Sequence, residues 1–567
     1  MIKRPDAPTF TRSSWRRCLG LTVGLLLPVS AGTILLPSAA AAADAAPKSK
    51  AVGATTRTKA ATANVTTTYQ LSTTAEPRSE IDRAVFPQLA RLAIPPAHPC
   101  TDAVFVRRVY LDVIGTLPTP AEARQFFQSQ QPNKRDLLID QLLQRDEFAD
   151  YWAMKWSDLL RVKAEFPINL WPNAAQAYHQ WIRTAVRENR PYDRFARELL
   201  TASGSNFRVG PANFYRAVQS REPAAIARTV ALTFMGVRAE KWPERQRNGM
   251  AAFFAQIGYK ASGEWKEELV FFDATKVPAA DAAPAVFPGG TVITLTPERD
   301  PREVFADWLT KPDNPWFARA LANRVWAWLL GRGIVHEADD LRPDNPPVNP
   351  ALLNLLTREL VASGFDVKHL FRLILTSQTY QLASITPAEL NATQTQLAEA
   401  NFAFYPLRRL EAEVLIDALN QITGTTDRYS SAIPEPFTYI PADLRSIALP
   451  DGSISSSFLE TFGRPARDTG LEAERSSQIT ANQRLHLLNS THILRKLEQG
   501  PRLQKLFRSG RPPRELIGEL YLAILSRPPT AAEMNTVTAY LKTHDARRSS
   551  VDLAWALINT AEFLYRH

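Results

Sequence analysis

The chain has 567 residues, 45% of them hydrophobic and 22% charged, an ordinary globular balance with length for more than one core. Its formal charge is +10, but nine basic residues against two acidic ones fall before residue 60, which leaves +3 for the rest. A body so near neutral is a poor candidate for a phosphate-backbone binder, so no nucleic acid is expected as partner.

The N-terminus reads as an export signal over residues 1–43. Arg12, Arg16 and Arg17 form a positive region, Leu19 to Leu36 an apolar stretch broken by Pro28 and Gly32, and Ser38 to Ala43 a run of small residues. A broken stretch of this kind favours a cleaved signal over a stable membrane span. Arg16-Arg17 before Cys18-Leu19 loosely resembles a twin-arginine signal, with general secretion as the other route. Residues 44–77, rich in Ala, Thr and Lys, read as a disordered linker. Once the leader is removed, Cys100 is the single remaining cysteine. That excludes an intramolecular disulfide, haem attachment through C-x-x-C-H and any multi-cysteine zinc or iron–sulfur site, so no cofactor and no metal are expected.

From Ile81 the pattern is helical, with Ile81, Val85, Leu89 and Leu92 on one face. Asn133 caps a helix bearing Leu138 and Leu142. Asn314-Pro315 starts another that stops at Gly331, and Asn349-Pro350 starts one that stops at Gly364. Asp366 caps the next, and Arg514–Leu525 and Ser550–Leu564 are helical as well. Leu269–Asp273 and Thr291–Leu295, on either side of Pro288-Gly289-Gly290, predict a small hairpin or ribbon. The expected fold is mainly α: a helical domain over 78–265, a β-containing connection over 266–297 and a second helical domain over 298–567.

Two groups of blocks carry a family resemblance. The first is Phe105-Val-Arg-Arg-Val-Tyr-Leu-Asp-Val-Ile-Gly-Thr-Leu-Pro-Thr119 with Tyr151-Trp-Ala-Met-Lys-Trp-Ser-Asp158. The second runs through Asp313-Asn-Pro-Trp-Phe-Ala-Arg319, Asn323-Arg-Val-Trp326, Gly331-Arg-Gly-Ile-Val335, Asp339-Asp340, Asn345-Pro-Pro347 and Ser363-Gly-Phe-Asp366. Arg408-Arg-Leu-Glu-Ala-Glu413, Phe462-Gly-Arg-Pro465 and Leu487-Leu-Asn-Ser490 continue it. Together they resemble the planctomycete cytochrome-associated tandem of domains of unknown function 1549 and 1553, over nearly all of the chain after residue 80. The resemblance implies a C-x-x-C-H-type segment before a Lys-Trp and an Ala-Phe-Phe run. Here Phe234-Met-Gly-Val237 leads almost directly to Lys241-Trp242 and then to Ala252-Phe-Phe254. It also implies a C-x-C before Glu-Arg, where this chain has Leu471 and Ala473 before Glu474-Arg475. The joint loss implies that the two places form one metal, haem or disulfide centre in relatives, and that redox function does not carry over to this chain.

On the helix after Pro315, Arg324 falls inside the stripe of Phe317, Leu321, Val325 and Trp328. A guanidinium on a buried face needs anionic or carbonyl partners, and Glu337, Asp339 and Asp340 lie just downstream. Arg324, Asp339, Asp340 and Glu337 are therefore the candidate polar cluster, read first as a buried ion pair pinning the loop and alternatively as an anion or carboxylate pocket. The acidic run lacks EF-hand spacing and reads as loop carboxylates and caps. His486 and His492 read as structural histidines, Glu411 and Glu413 as dipole complements or ion pairs, and Arg107-Arg108 with Asp112 as an i,i+4 pair. G-x-S-x-G, H-E-x-x-H and P-loop signatures are absent from the sequence, so catalytic residues are unknown. The expected role is a non-haem, non-enzymatic protein, exported to the periplasm or cell envelope, that binds an envelope protein partner or serves as a scaffold. The alternatives are a hydrolase or other enzyme of polysaccharide metabolism, and a carbohydrate-binding protein using Trp171 or Trp265.

Overall fold

The computed structural model describes residues 68–276, 284–387, 390–543 and 545–567. The segment 1–43 read as a signal, with Cys18, and the part of the predicted linker up to residue 67 lie outside the described residues. Residues 68–77, read as part of that linker, are held against the body. Leu71 donates its amide to the Pro99 carbonyl at 2.8 Å, and the Tyr69 hydroxyl donates to Glu562 at 2.9 Å.

Helix starts follow the capping chemistry of the sequence. In the helix Glu80–Arg91, Ser79 and Asp82 form a capping box. Asp82 is buried and also accepts from the amides of Gln378 and Thr379 at 3.1 and 2.8 Å, so one carboxylate ties the first helix to a segment almost 300 residues on. Asn349 and Asp366 cap the helices Pro350–Ala362 and Val367–Leu375 through their side chains. Asn133 sits at the start of Lys134–Leu142 without a side-chain bond. Asn314 accepts from the amides of Trp316 and Phe317, so its helix begins at Phe317, two residues later than the proline predicts. The predicted Ser550–Leu564 helix is broken, because Thr560 caps a new turn, Ala561–Leu564, after Ala546–Ile558 ends.

The two helical segments share one apolar core. Trp152 lies against Phe371 and Trp328, with ring centroids 4.4 and 5.2 Å apart, and Tyr192 stacks on Phe317 at 4.5 Å. Such pairs contribute about 0.5–1.5 kcal/mol each beyond burial. None of the helices among the described residues is long and apolar enough to cross a membrane.

The two predicted strand runs do not pair with each other. Glu268–Phe272 is the centre of a three-stranded antiparallel sheet between Gly204–Ser205 and Ile257–Ala261, with Tyr259 opposite Val270. The boundary drawn at 265 falls in the turn of that hairpin. The nearer run closes the shorter loop, at lower entropic cost. Its Gly258 hid it from a β-propensity reading, yet glycine is required there, since a Cβ would lie 2.6 Å from the Phe271 ring. Val292–Ile293 pairs instead with Ala285–Val286 across Pro288-Gly289-Gly290. A third ladder, Arg408–Arg409 with Tyr565–Arg566, brings residues 565 and 566 to the Arg-Arg-Leu-Glu-Ala-Glu block.

Gly331 ends the helix Phe317–Leu330 in left-handed backbone, φ 73°, and a Cβ there would collide with Arg408. Arg408 uses that space to donate to the Trp328 carbonyl at 2.7 Å. Gly331→Ala should lower stability by about 1–2 kcal/mol from the backbone alone, and by more as Arg408 is displaced, read as a lower urea midpoint.

His179, 5% exposed, is pushed down to about 3 by burial first and then by Arg467 and Arg183. It stays neutral in the fold while the unfolded chain takes up a proton near the ordinary value of 6.5. Its contribution to stability is complete above pH 6.5 and is lost as the pH falls toward 3. The midpoint should decline across that window, and His179→Gln should decline less steeply than the parent.

Candidate functional site

Arg324 is fully buried, and its partners are fixed. Nε and Nη2 donate to one oxygen of Asp339 at 3.0 and 2.7 Å, and the remaining donors go to the carbonyls of Leu232 and Thr233. The other Asp339 oxygen accepts from the amide of Glu472 at 2.7 Å. Arg324 and Asp339 thus form the buried pair of the first sequence reading, and each is consumed by the other. Asp340 turns instead to Arg342 at 2.8 Å, and Glu337, in left-handed backbone and half exposed, to Arg238 at 2.8 Å. The four candidates do not converge on one cavity.

Around this pair the family blocks build a far larger ionic network. Arg475 donates to Asp158 at 2.7 Å and to Glu413 at 2.6 Å; Arg467 adds a second bond to Asp158 at 2.9 Å. Glu411 accepts from Lys155, Arg566 and the Tyr151 hydroxyl. Burial opposes ionisation of Glu411, but Arg566, Lys155 and Arg475 outweigh it and hold the carboxyl well below its usual range. Asp112 accepts from Tyr380 and Tyr405 at 2.9 and 2.7 Å on one oxygen, and from Arg566 and Arg408 at 2.9 and 3.2 Å on the other. The expected i,i+4 pairing of Asp112 with Arg108 is therefore not formed. Arg108 instead donates to the carbonyls of Tyr380 and Leu382, and Arg107 to those of Ile524 and Phe563. Burial pushes Asp417 up to about 6 even though it accepts from the amides of Ser446 and Ile447.

The sequence reads His486 and His492 as structural histidines flanking Asn489. The structure links them in series: Asp427 to His492 at 2.9 Å, and His492 Nδ1 to His486 Nε2 at 3.4 Å. An ionised Asp427 accepts from His492 Nε2–H, which leaves Nδ1 to accept from His486. The pair borders an open polar hollow with Ser457, Thr491 and Arg495, and it rests edge-on against Phe458. Only the spacing of six residues hinted at it.

Among the described residues no group of three His, Cys, Asp or Glu side chains is placed to hold a metal ion. Cys100 is buried and unpaired, with Arg135 Nη1 3.9 Å from its sulfur. The two places where the resemblance implies cysteines lie around a single cavity. Arg238 and Glu240 border it on one side, and Thr469 and Leu471 on the other.

Trp171 and Trp265, each named as a surface tryptophan by the sequence, meet on the surface. Their rings are 4.8 Å apart, and Phe437 lies 5.3 Å from both. Trp265 is 61% exposed and Phe437 41%, and Tyr439, two residues along the chain from Phe437, is 67% exposed. The Lys266 ammonium stands 5.3 and 5.6 Å from the two indole rings.

If the Arg324–Asp339 pair is structural, Arg324→Met should destabilise the protein by about 3–5 kcal/mol by leaving a buried carboxylate unpaired. Adding Asp339→Leu should restore part of that loss, read by urea unfolding. A folded Arg324→Met with unchanged midpoint would contradict the pairing.

The chain matches no curated protein and no solved structure. Two family models match it in order. PSCyt2, a protein of unknown function (DUF1549), covers residues 80–257, and PSD1, a protein of unknown function (DUF1553), covers residues 301–541. Network residues Asp112, Lys155 and Asp158 fall in the first match, and Arg324, Asp339, Glu411, Glu413 and Arg475 in the second. The chain belongs to the family in which these two domains of unknown function stand in tandem.

Proposed function

We propose that the protein is an exported, non-enzymatic binding protein of the periplasm or cell envelope, and that its contact surface is the Trp171, Trp265 and Phe437 cluster. Export is supported by the basic, apolar and small-residue runs of the first 43 residues. The binding role is carried by one observation: three aromatic rings from segments as far apart as 171 and 437 are gathered on the surface rather than in the core. The backbone there is set firmly, with Asn169, Trp171 and Lys266 all at positive φ. Strained backbone beneath exposed aromatic area is the signature of a built contact surface. The Arg324–Asp339 region does not support the hydrolase reading, because its charged groups are already neutralised by one another.

The partner in this reading is an envelope protein. A polysaccharide is the second reading, favoured by Lys266 over the two indole rings and by the exposed polar residues Asn169 and Glu264 on the same segments as the tryptophans. Trp265→Ala with Tyr439→Ala in the full chain should leave the thermal midpoint unchanged and weaken binding to envelope fractions at least about tenfold. Binding that survives in a deproteinised polysaccharide fraction assigns the surface to sugar. Equal binding by the double variant and the parent would refute the proposal.

A further inference from the structure

A cavity of about 600 Å³ lies between residues 161, 218–240 and 468–471, and three arginines line it: Arg161, Arg228 and Arg238. Arg161 is 3% exposed, and its backbone is left-handed at φ 54°. Nε donates to the Ala217 carbonyl at 2.7 Å and Nη1 to the Leu159 carbonyl at 3.1 Å, while Nη2 has no acceptor in the protein. Glu474, the carboxylate that acts on it through space, already accepts from the Asp468 amide and from the amide and hydroxyl of Thr469. Gly470, at φ 74°, leaves room for this guanidinium, since a Cβ there would collide with Arg161 Nη1 and the Leu159 carbonyl.

The other two arginines are also incompletely matched. Arg228 is 3.8 Å from its nearest carboxylate, Glu240. Arg238 reaches Glu337, but its Nε is buried without an acceptor. Of the two acids on the wall, Asp468 is engaged by Lys163 at 2.6 Å and Glu240 is largely exposed. Neutral donors complete the lining in the hydroxyls of Ser220 and Thr229. A buried guanidinium hydrogen-bonded only to two carbonyls, with Glu474 acting on it through space, lacks the direct counter-ion that ordinarily offsets its desolvation, and an oxyanion in the adjoining cavity would add one.

We propose that this cavity binds an oxyanion-bearing ligand, a carboxylate, sulfate or phosphate group, with Arg161 as the buried cation and Arg228 and Arg238 beside it. The site shares no residue with the aromatic surface, so it stands or falls independently of the binding role assigned there.

Titration calorimetry on the full chain, in low-salt chloride buffer, with sulfate, inorganic phosphate and glucuronate as separate probes and glucose as the neutral control, tests it. Saturable binding at a single site is expected for at least one charged probe and not for glucose. Glucuronate alone assigns the site to a sugar acid, and sulfate or phosphate assigns it to a free inorganic ion. Arg228 lies 3.8 Å from Glu240, its nearest carboxylate, so Arg228→Ala should keep the parent's thermal midpoint while weakening binding at least about fivefold. Arg161→Lys keeps a charge but loses the guanidinium fork and should weaken binding further. Arg83→Ala, on the exposed side of the helix Glu80–Arg91 where Arg83 pairs with Glu80, should bind as the parent does. No saturable heat with any charged probe, or parent affinity in either Arg228→Ala or Arg161→Lys, would overturn the proposal.

Discussion

A single guanidinium, that of Arg475, is clasped by two carboxylates out of water: Asp158 from the first half of the chain and Glu413 from the second. Each of these ions is costly to bury by itself, and the cost is offset only when all are present in good geometry. The same rule governs Glu411 with Lys155 and Arg566, and Asp112 with Arg408 and Arg566. Because Asp112, Lys155 and Asp158 lie in the first matched domain and Arg408, Glu411 and Arg475 in the second, the first domain does not satisfy these buried charges by itself. The ion pairs add specificity more than raw stability: a misaligned packing of the helices would strand charges in the core, which is far worse than losing an apolar contact.

This division explains why the residues that mark the family are poor guides to activity. Arg324, Asp339, Glu411, Glu413 and Arg475 are chemically suggestive in sequence, yet the first two and Glu413 are buried, Glu411 and Arg475 are largely covered, and each is held by a fixed partner. Chemistry directed outward lies between these blocks, in the ring cluster of Trp171, Trp265 and Phe437 and in the arginine-lined cavity beside Gly470. The serial contact of Asp427, His492 and His486 is a third such feature.

What the sequence made legible was local. The caps at Asn349 and Asp366, the stop at Gly331 and the amphipathic stripe from Ile81 to Leu89 all depend on residues within one or two turns, and all are present. Arg324 was also readable, because a charge on an apolar stripe demands a partner and acids followed closely. Asp112 was not, since its four donors come from residues 380 to 566 and no local spacing announces them. The hairpin was misassigned because a glycine needed for close packing against Phe271 masked the true strand. The cavity escaped notice because Arg161, Arg228 and Arg238 belong to three different segments and are adjacent only in space.

The claim on which the rest turns is that the two domains are locked by charges buried between them. A double-mutant cycle on Asp158→Asn and Arg475→Gln, followed by urea unfolding of the full chain, measures that lock directly. The account predicts a coupling free energy above about 1 kcal/mol, with the double variant less damaged than the sum of the singles. Strictly additive losses, or singles that unfold at the parent's urea concentration, would contradict it.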